Sequence, residues 1–321
     1  MTSNANKTRK WKHIVLAGLV VFAALGIAAR KVESGNPEAA SKTLSQITFR
    51  SPAEAGAALD KAAKTNDRTA LTQVLGAETK GLLITGDSEV DKVTLDAFAA
   101  KYEQMNRWVD MTDGSRVLYI GADNFAFPVP LAKNSSGKWY FDGVAGAREV
   151  KARDIGRNEL LAIDACYALA DAAEIYYKRF GASPEYPQRI ISTSGKQDGL
   201  YWPVSQTQAT SPLGNLSELP KASFGSYPPQ EPLTIDGYSL RVLTAQGDDA
   251  QGGAKNYVVN GKMIGGFGIL ATPIKYGETG IMTFMINREG IVYEQDLGPD
   301  TAQIAASIQE YNPDEHWWPV K

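Results

Sequence analysis

The chain of 321 residues contains one cysteine, Cys166, and two histidines, His13 and His316. A single cysteine cannot form a disulfide within the chain, and it cannot supply a zinc site built from several thiolates. The 33 Lys and Arg residues are balanced by 36 Asp and Glu residues, so the chain lacks the basic excess that attracts nucleic-acid phosphates. These absences exclude a disulfide-stapled scaffold and predict no nucleic-acid partner.

Catalytic residue patterns are equally scarce. A hydrolase triad would need His316 as its base, yet that residue lies in the tail "NPDEHWWPVK", and the sequence has no nucleophile elbow. Cys166 lies within "AIDACYALADAAEIYY", which is typical of a buried helical cysteine. Carboxylates that could pair as general acid and base are more typical here of solvated loops and helix N-termini; they are Asp87, Glu89, Asp91, Asp296 and Asp300. The sequence therefore favours a protein that is not an enzyme, and it gives no catalytic or metal-binding residue.

The N-terminus carries a basic segment followed by an uncharged apolar run over residues 14–29. This order is typical of an export signal. The run is shorter than the roughly 20 residues of a membrane-spanning helix, so residues 1–30 are interpreted either as a cleaved signal peptide or as an uncleaved membrane anchor. A polar linker follows at 31–46. The remainder is predicted to be exported, either periplasmic or anchored in the inner membrane and facing the periplasm.

Residues 47–152 show helical patterns first and strand patterns afterwards. Ser51, Pro52 and Glu54 form a capping box that predicts a helix start, and a second short helix is predicted between Asp67 and Gly76. A third helix carries an apolar stripe of Leu95, Phe98, Tyr102 and Met105. The segments "SRVLYIG", "FAFPVPL" and "KWYFDG" then read as strands, so an α+β domain is predicted. Its aromatic residues Trp139, Tyr140 and Phe141 either line a ligand pocket or fill the core.

Residues 153–321 predict a second α+β domain. Asn158 is a candidate cap for a long helix that ends at Gly181, and the apolar face of that helix is Leu161, Ala165, Leu169, Ala172, Tyr176 and Phe180. A turn-rich stretch follows, and then come five strand-like segments separated by turn signals. A closing helix is predicted at 299–311. The expected plan is one long helix packed on an antiparallel sheet.

The segment "GGFGILA" fits the dinucleotide-binding pattern through Gly266, Gly268 and Ala271. That pattern requires a helix directly after the glycines, to bind the pyrophosphate at its N-terminus. Here Thr272 and Pro273 follow at once, and proline inside a new helix costs roughly 3 kcal/mol. The segment is therefore predicted to be a strand whose glycines permit a close approach of another part of the chain, and no cofactor is predicted.

Several segments carry a resemblance to a known family. They are "TFRSPAEAGAALDKA", "FAFPVPL", "GRNELLAI", "KQDGLYWP", "NYVVNGKMIGGFGILATPIKYGETGIMTFMINREGIVYEQDLGPDT" and the terminal "WWPV". Together they resemble the bacterial exported family called domain of unknown function 2950, over nearly the whole chain after the apolar run. The resemblance implies a location and a fold plan. The first domain is also similar to cone-shaped α+β domains of the nuclear transport factor type. The second resembles the globular domains of type IV pilin-like proteins, although the apolar run lies far from the helix that would carry a pilin stem.

Aromatic residues beside prolines are the candidate binding residues. Tyr201 and Trp202 follow a turn in "GKQDGLYWP", and Trp317 and Trp318 lie in the tail, so both pairs are expected on accessible loops. They are interpreted as a partner-binding site, for an envelope protein or a glycan, or alternatively as rings tucked over the core. The predicted function is a non-enzymatic binding or scaffold protein of the cell envelope, attached to the membrane if the N-terminal segment is uncleaved. The alternative is a periplasmic enzyme or small-ligand carrier that acts on cell-wall material through a pocket in the first domain.

Overall fold

The computed structural model describes residues 45–79, 88–179, 183–203, 210–214 and 230–321. The predicted signal or anchor at 1–30, the linker up to residue 44, Asp87, Phe180 and Gly181 lie outside these ranges. Within the described ranges, no helix has both the length and the apolar composition needed to span a membrane. The chain divides into two compact units, Met1–Ala152 and Arg153–Lys321.

In its described residues, the first unit contains three complete α-helices, the beginning of a longer helix and a small sheet. The helices are α1 (Pro52–Lys64), α2 (Arg68–Leu75) and α3 (Ser88–Gln104). The strands are β1 (Asn106–Asp110), β2 (Arg116–Ile120), β3 (Phe125–Ala126), β4 (Leu131–Lys133) and β5 (Trp139–Phe141), which pair antiparallel in the order β1-β2-β4-β5 with β3 beside β2. The prediction of helices followed by an antiparallel sheet is confirmed.

The helix starts follow from capping. The Ser51 hydroxyl accepts a hydrogen bond from the Glu54 backbone N–H at 3.2 Å, and the Glu54 carboxylate accepts one from the Arg50 N–H at 2.8 Å. Asp67 caps α2 by accepting from Ala70 N–H at 2.9 Å. Trp139 and Phe141 are buried in the core between the sheet and the helices, so they fill the core.

The long helix α4 spans Gly143–Arg179 and begins 15 residues before Asn158. The prediction that Asn158 caps this helix is therefore wrong. Asp142 does so, because its carboxylate accepts a hydrogen bond from Ala145 N–H at 2.9 Å, whereas the Asn158 side chain donates to the Thr279 carbonyl at 3.0 Å. The first turns contain glycine, which normally weakens a helix by roughly 1 kcal/mol. At Gly146 a Cβ atom would lie 2.7 Å from Val129, so this position needs glycine for packing.

The second unit contains a six-stranded antiparallel sheet and several short strand pairs. In chain order its strands are β6 (Leu233–Ile235), β7 (Tyr238–Leu243), β8 (Ala245–Gln246), β9 (Lys255–Asn256), β10 (Val258–Val259), β11 (Lys262–Met263), β12 (Gly268–Pro273), β13 (Met282–Asn287), β14 (Val292–Asp296) and β15 (Trp318–Pro319). The main sheet has the order β15-β14-β13-β12-β7-β6. The described residues between 183 and 214 form turns and isolated bridges, as the turn-rich composition predicts.

Both faces of the main sheet are covered. On one face, the second-unit part of α4 packs through the predicted face residues Ala165, Leu169, Ala172 and Tyr176 against side chains such as Phe284. On the other face lie α5 (Thr301–Ser307) and the C-terminal segment. Helix α5 is shorter than the predicted 299–311, and Arg241 donates to the carbonyl oxygens of Ala305 and Ile308 near its end.

Strand β12 contains two residues of the glycine pattern, Gly268 and Ala271. Residues 268–273 form a central strand between β7 and β13, as predicted, and Phe267, Ile269 and Ala271 lie on the side of the helix α4 core. Gly268 lies on the opposite side, where a Cβ atom would be 2.9 Å from Tyr311 Cβ and 3.1 Å from Leu243 Cβ. The glycine thus permits close packing of the C-terminal segment on the sheet.

Glu159 provides a test of how α4 is held to the sheet. Its Oε1 accepts hydrogen bonds from the N–H groups of Ile281 and Met282 at 2.9 and 3.0 Å. Substitution Glu159→Ala leaves two backbone donors without this acceptor, and we expect it to lower the free energy of unfolding by roughly 2 kcal/mol or more. Glu159→Gln keeps an oxygen acceptor and should cost less than half as much. Urea unfolding followed by circular dichroism measures both, and equal losses in the two variants would contradict this role.

Candidate functional site

The four aromatic residues predicted to bind a partner have different environments. Tyr201, Trp202 and Trp317 are buried, whereas 67% of Trp318 is exposed. Tyr201 and Trp202 pack in the core of helix α4, and Trp317 packs in the core on the other face of the sheet. The expectation that both pairs are accessible therefore holds for Trp318 alone.

The burial of Tyr201 and Trp202 follows from the way the turn-rich segment folds back on itself. The Leu200 and Tyr201 N–H groups both donate to the Ile190 carbonyl at 2.8 Å, and Ser192 N–H donates to the Tyr201 carbonyl at 2.8 Å. This pairing requires Gly199, where a Cβ atom would lie 2.7 Å from the Ser192 nitrogen. An irregular segment thereby covers the helix with its own aromatic rings.

Trp318 lies on the edge strand β15, directly opposite Glu294 on β14. Adjacent residues in a strand point to opposite faces, so Trp318 and Glu294 lie on one face of the sheet and Tyr293 on the other. Burial, and secondarily the nearby Glu159 carboxylate, raise the pKa of Glu294 above its ordinary value. The sheet edge thus combines an exposed ring with two carboxylates.

The opposite face of the sheet carries a cleft that the sequence did not indicate. It has a volume of about 210 Å³, and we call it the tyrosine cleft. Its lining residues are Asp249, Gln251, Asn287, Glu289, Ile291, Tyr293, Tyr311 and Pro313. Pockets for drug-sized ligands span roughly 300–1,000 Å³, so this cleft suits a single ring or the end of a longer molecule.

Tyr311 and Asn287 are the most buried of the cleft residues, at 3% and 5% exposure. Tyr311 sits over Gly268, and its ring meets the Tyr293 ring edge-on, with centroids 6.5 Å apart. Its backbone N–H donates to the Ala245 carbonyl at 2.9 Å. The base of the cleft is therefore an aromatic surface fixed to the central strands.

One wall of the cleft is the loop at 247–253, which Asn312 holds in place. The Asn312 Oδ1 accepts hydrogen bonds from the Asp249 and Ala250 N–H groups at 2.9 and 3.2 Å, and its Nδ2 donates to Asp249 Oδ2 at 2.8 Å. On the inner side, Gln246 donates to the carbonyls of Gln251 and Gly253 at 2.9 and 2.8 Å. These bonds fix the position of the Asp249 carboxylate before any ligand arrives.

The opposite wall is the turn that joins β13 to β14. The Asn287 side-chain oxygen accepts a hydrogen bond from Glu289 N–H at 2.9 Å, and Gly290 N–H donates to the Asn287 carbonyl at 3.1 Å. Gly290 has a φ of 76°, a left-handed conformation that glycine adopts without strain. The turn places the exposed Glu289 side chain at the rim.

Two buried tyrosines at this end of the sheet, Tyr311 and Tyr257, have raised pKa values. Burial raises the pKa of Tyr311, with smaller contributions from neighbouring tyrosines and Glu289. Burial likewise raises the pKa of Tyr257 to about 12, and its hydroxyl donates to Gln246 Oε1 at 2.7 Å. Both hydroxyls therefore stay protonated at neutral pH and do not act as bases.

The remaining residues that the sequence offered as catalytic candidates each have an identifiable environment in the structure. Burial raises the pKa of the Cys166 thiol to about 12, which keeps the nucleophilic thiolate from forming at neutral pH. Asp91 is buried in an ion pair with Arg68 at 2.8 Å, and Asp296 accepts hydrogen bonds from Gly298 N–H and the Tyr276 hydroxyl. Glu89 is exposed on the first turn of α3, Asp300 directly precedes α5, and the His316 side chain is exposed. In the described part of the chain, no group of three or more His, Cys, Asp or Glu residues could hold a metal ion.

The fold defines a two-unit α+β protein with one long helix and antiparallel sheets. A family model described as "Protein of unknown function (DUF2950)" matches residues 46–320, so the chain belongs to that family, as the resemblance implied. Searches of curated proteins and of solved structures each found no match.

The difference between buried and exposed tryptophans gives a stability test. Trp202 is 3% exposed and has the Arg179 guanidinium 5.5 Å from its ring centroid. We expect Trp202→Ala to cost roughly 3–5 kcal/mol, as truncations of buried aromatic residues do. Trp318→Ala should change stability by no more than about 0.5 kcal/mol, because its ring is largely exposed. Thermal unfolding measures the stability of both variants. A large loss of stability in Trp318→Ala would show that this ring is part of the core.

Glu294 gives a test of pH dependence. Because its pKa in the folded state is raised above the ordinary value of 4.5, folding disfavours the charged carboxylate. Its stabilising contribution is complete below pH 4.5 and is lost as the pH rises through the raised folded-state pKa. Glu294→Gln should therefore stabilise the chain at pH 7 relative to the native protein, with a smaller difference at pH 4. Urea midpoints at the two pH values measure this, with exposed Glu278→Gln as control, and an equal difference at both values would count against the shift.

Proposed function

We propose that the chain is an exported, non-enzymatic binding protein of the cell envelope, and that it takes a sugar unit of an envelope glycan in the tyrosine cleft. The observation that carries this proposal is the composition of the cleft, in which aromatic rings at the base lie among planar amide and carboxylate groups. Rings of this kind pack on the apolar face of a sugar, and the surrounding groups pair with its hydroxyls. The walls are fixed by internal hydrogen bonds, so binding orders few side chains and loses little entropy.

Export is supported by the basic residues that precede the apolar run at 14–29.

The similarity of each unit to a known domain type is also part of the proposal. Helices α1–α3 beside one antiparallel sheet are consistent with a cone-shaped domain of the nuclear transport factor type, and α4 on the six-stranded sheet is consistent with a pilin-like domain. Fold does not determine function, so these fold comparisons do not choose a ligand.

The chemistry of the cleft favours binding over catalysis. The raised pKa of Tyr311 keeps its hydroxyl neutral, and the Asp249 carboxylate is engaged with Asn312. The aromatic residues Trp139 and Phe141, which could have lined a pocket in the first unit, are buried in its core. The cleft of the second unit is therefore the site on which a binding function is best argued.

A tetramer of β-1,4-linked N-acetylglucosamine is a suitable probe. We expect saturable heat on titration into the purified full chain, and a loss of about tenfold or more in affinity on Tyr293→Ala, since truncated aromatic anchors typically cost about 2 kcal/mol. Tyr276→Ala is the matched control, because Tyr276 lies in the turn before β13 and the cleft lies at the turn after it. Absence of saturable binding by the native chain, both to this tetramer and to the glucosamine tetramer of the same linkage, would contradict the proposal, as would unchanged affinity in a folded Tyr293→Ala variant.

A further inference from the structure

Two carboxylates lie on opposite walls of the tyrosine cleft, Asp249 on the loop at 247–253 and Glu289 on the turn after β13. We propose that they make the cleft selective for amino sugars that carry a free ammonium group, over the N-acetylated forms of the same sugars. This inference rests on the proposed glycan binding and specifies which glycan chemistry the cleft prefers.

The lining of the cleft carries negative charge. Among the eight lining residues, two are acidic and none is basic. Among the described residues, neither Asp249 nor Glu289 takes part in an ion pair, although surface carboxylates elsewhere in the chain, such as Asp110 and Asp123, are paired with Arg or Lys. A cationic group that enters the cleft therefore meets two carboxylates that no cation of the described protein neutralises.

Hydrogen bonds hold the Asp249 carboxylate and the backbone of Glu289 in place. Asn312 binds both the backbone and the side chain of Asp249, and the Asn287 side chain fixes the backbone of Glu289. The ring of Tyr293 contributes a π face, which attracts an ammonium group as well. A fixed carboxylate at Asp249 and an exposed one at Glu289, beside aromatic rings, are complementary to a ring-shaped ligand with one positive substituent.

The cleft also offers contacts for the uncharged ring of the ligand, beside those for its ammonium group. A peptide amine on a flexible chain would use the carboxylates alone, whereas the cleft also presents the amides of Gln251 and Asn287 and the apolar surface of Pro313. Amides donate to and accept from hydroxyl groups, which a sugar ring displays around its edge. The volume of about 210 Å³ accommodates one such ring. The combination favours an amino sugar over a lysine side chain.

The test compares two tetramers with the same linkage and length, one of glucosamine and one of N-acetylglucosamine, by calorimetry with the full chain. At about pH 6 the free amine is protonated. We expect the glucosamine tetramer to bind about three- to tenfold more tightly at low salt, since exposed ion pairs are weak individually. The preference should disappear near 0.5 M salt, because screening shortens the range of exposed charges.

The double substitution Asp249→Asn with Glu289→Gln should abolish the preference, so that the two tetramers bind with equal affinity. Glu289→Gln alone should reduce the preference. Only the backbone of Glu289 is hydrogen-bonded to Asn287, so this single variant still tests the proposal if the double variant does not fold. Glu278→Gln, in the turn at the other end of β13, is the matched control and should keep the full preference.

The possible outcomes separate the two proposals. If the N-acetylated tetramer binds and the glucosamine tetramer binds no more tightly, the selectivity is overturned while glycan binding stands. If neither tetramer binds, glycan binding fails and the selectivity fails with it. A preference that persists in the folded double variant overturns the role of the two carboxylates. Tetralysine binding as tightly as the glucosamine tetramer overturns the choice of an amino sugar.

Discussion

The contact of Tyr311 with Gly268 is the constraint on which one whole face of the second unit depends. The missing side chain at Gly268 lets Tyr311 rest directly on the central strand β12, and the backbone of Tyr311 bonds to Ala245 and Gly247. Tyr311 therefore positions the residue that follows it, Asn312, which holds the loop at 247–253. The packing of Tyr311 on Gly268 therefore helps to position the loop at 247–253, which is one wall of the cleft.

Local sequence signals predicted a large part of the fold. Ser51 and Asp67 cap helices as expected, because capping depends on a side chain and a backbone group only a few residues apart. The strand at 268–273 and its buried face were also predictable, since the alternation of glycine with larger apolar residues and the helix-breaking Pro273 are visible in the sequence. The α+β class followed from the order of these elements, and the family resemblance is confirmed over residues 46–320.

The errors arose where long-range contacts override local preference. The start of α4 was missed because Gly143 and Gly146 resemble helix breakers, and only the contact with Val129 explains Gly146. Tyr201 and Trp202 were expected on an accessible loop, yet pairing with Ile190 places them in the core. The cleft could not be predicted, because its residues are separated by up to 64 positions (249 and 313) and meet through side chains such as Asn312 that carry no motif.

The dependence of the cleft on Tyr311 has a consequence for the order of events during synthesis. Residues 311–313 follow residues 249 and 289 in the chain, so during synthesis the segments that carry the two carboxylates emerge before Tyr311 and Asn312, which hold the loop at 247–253 in place. The cleft can therefore take its final shape only once the chain has been made beyond residue 313.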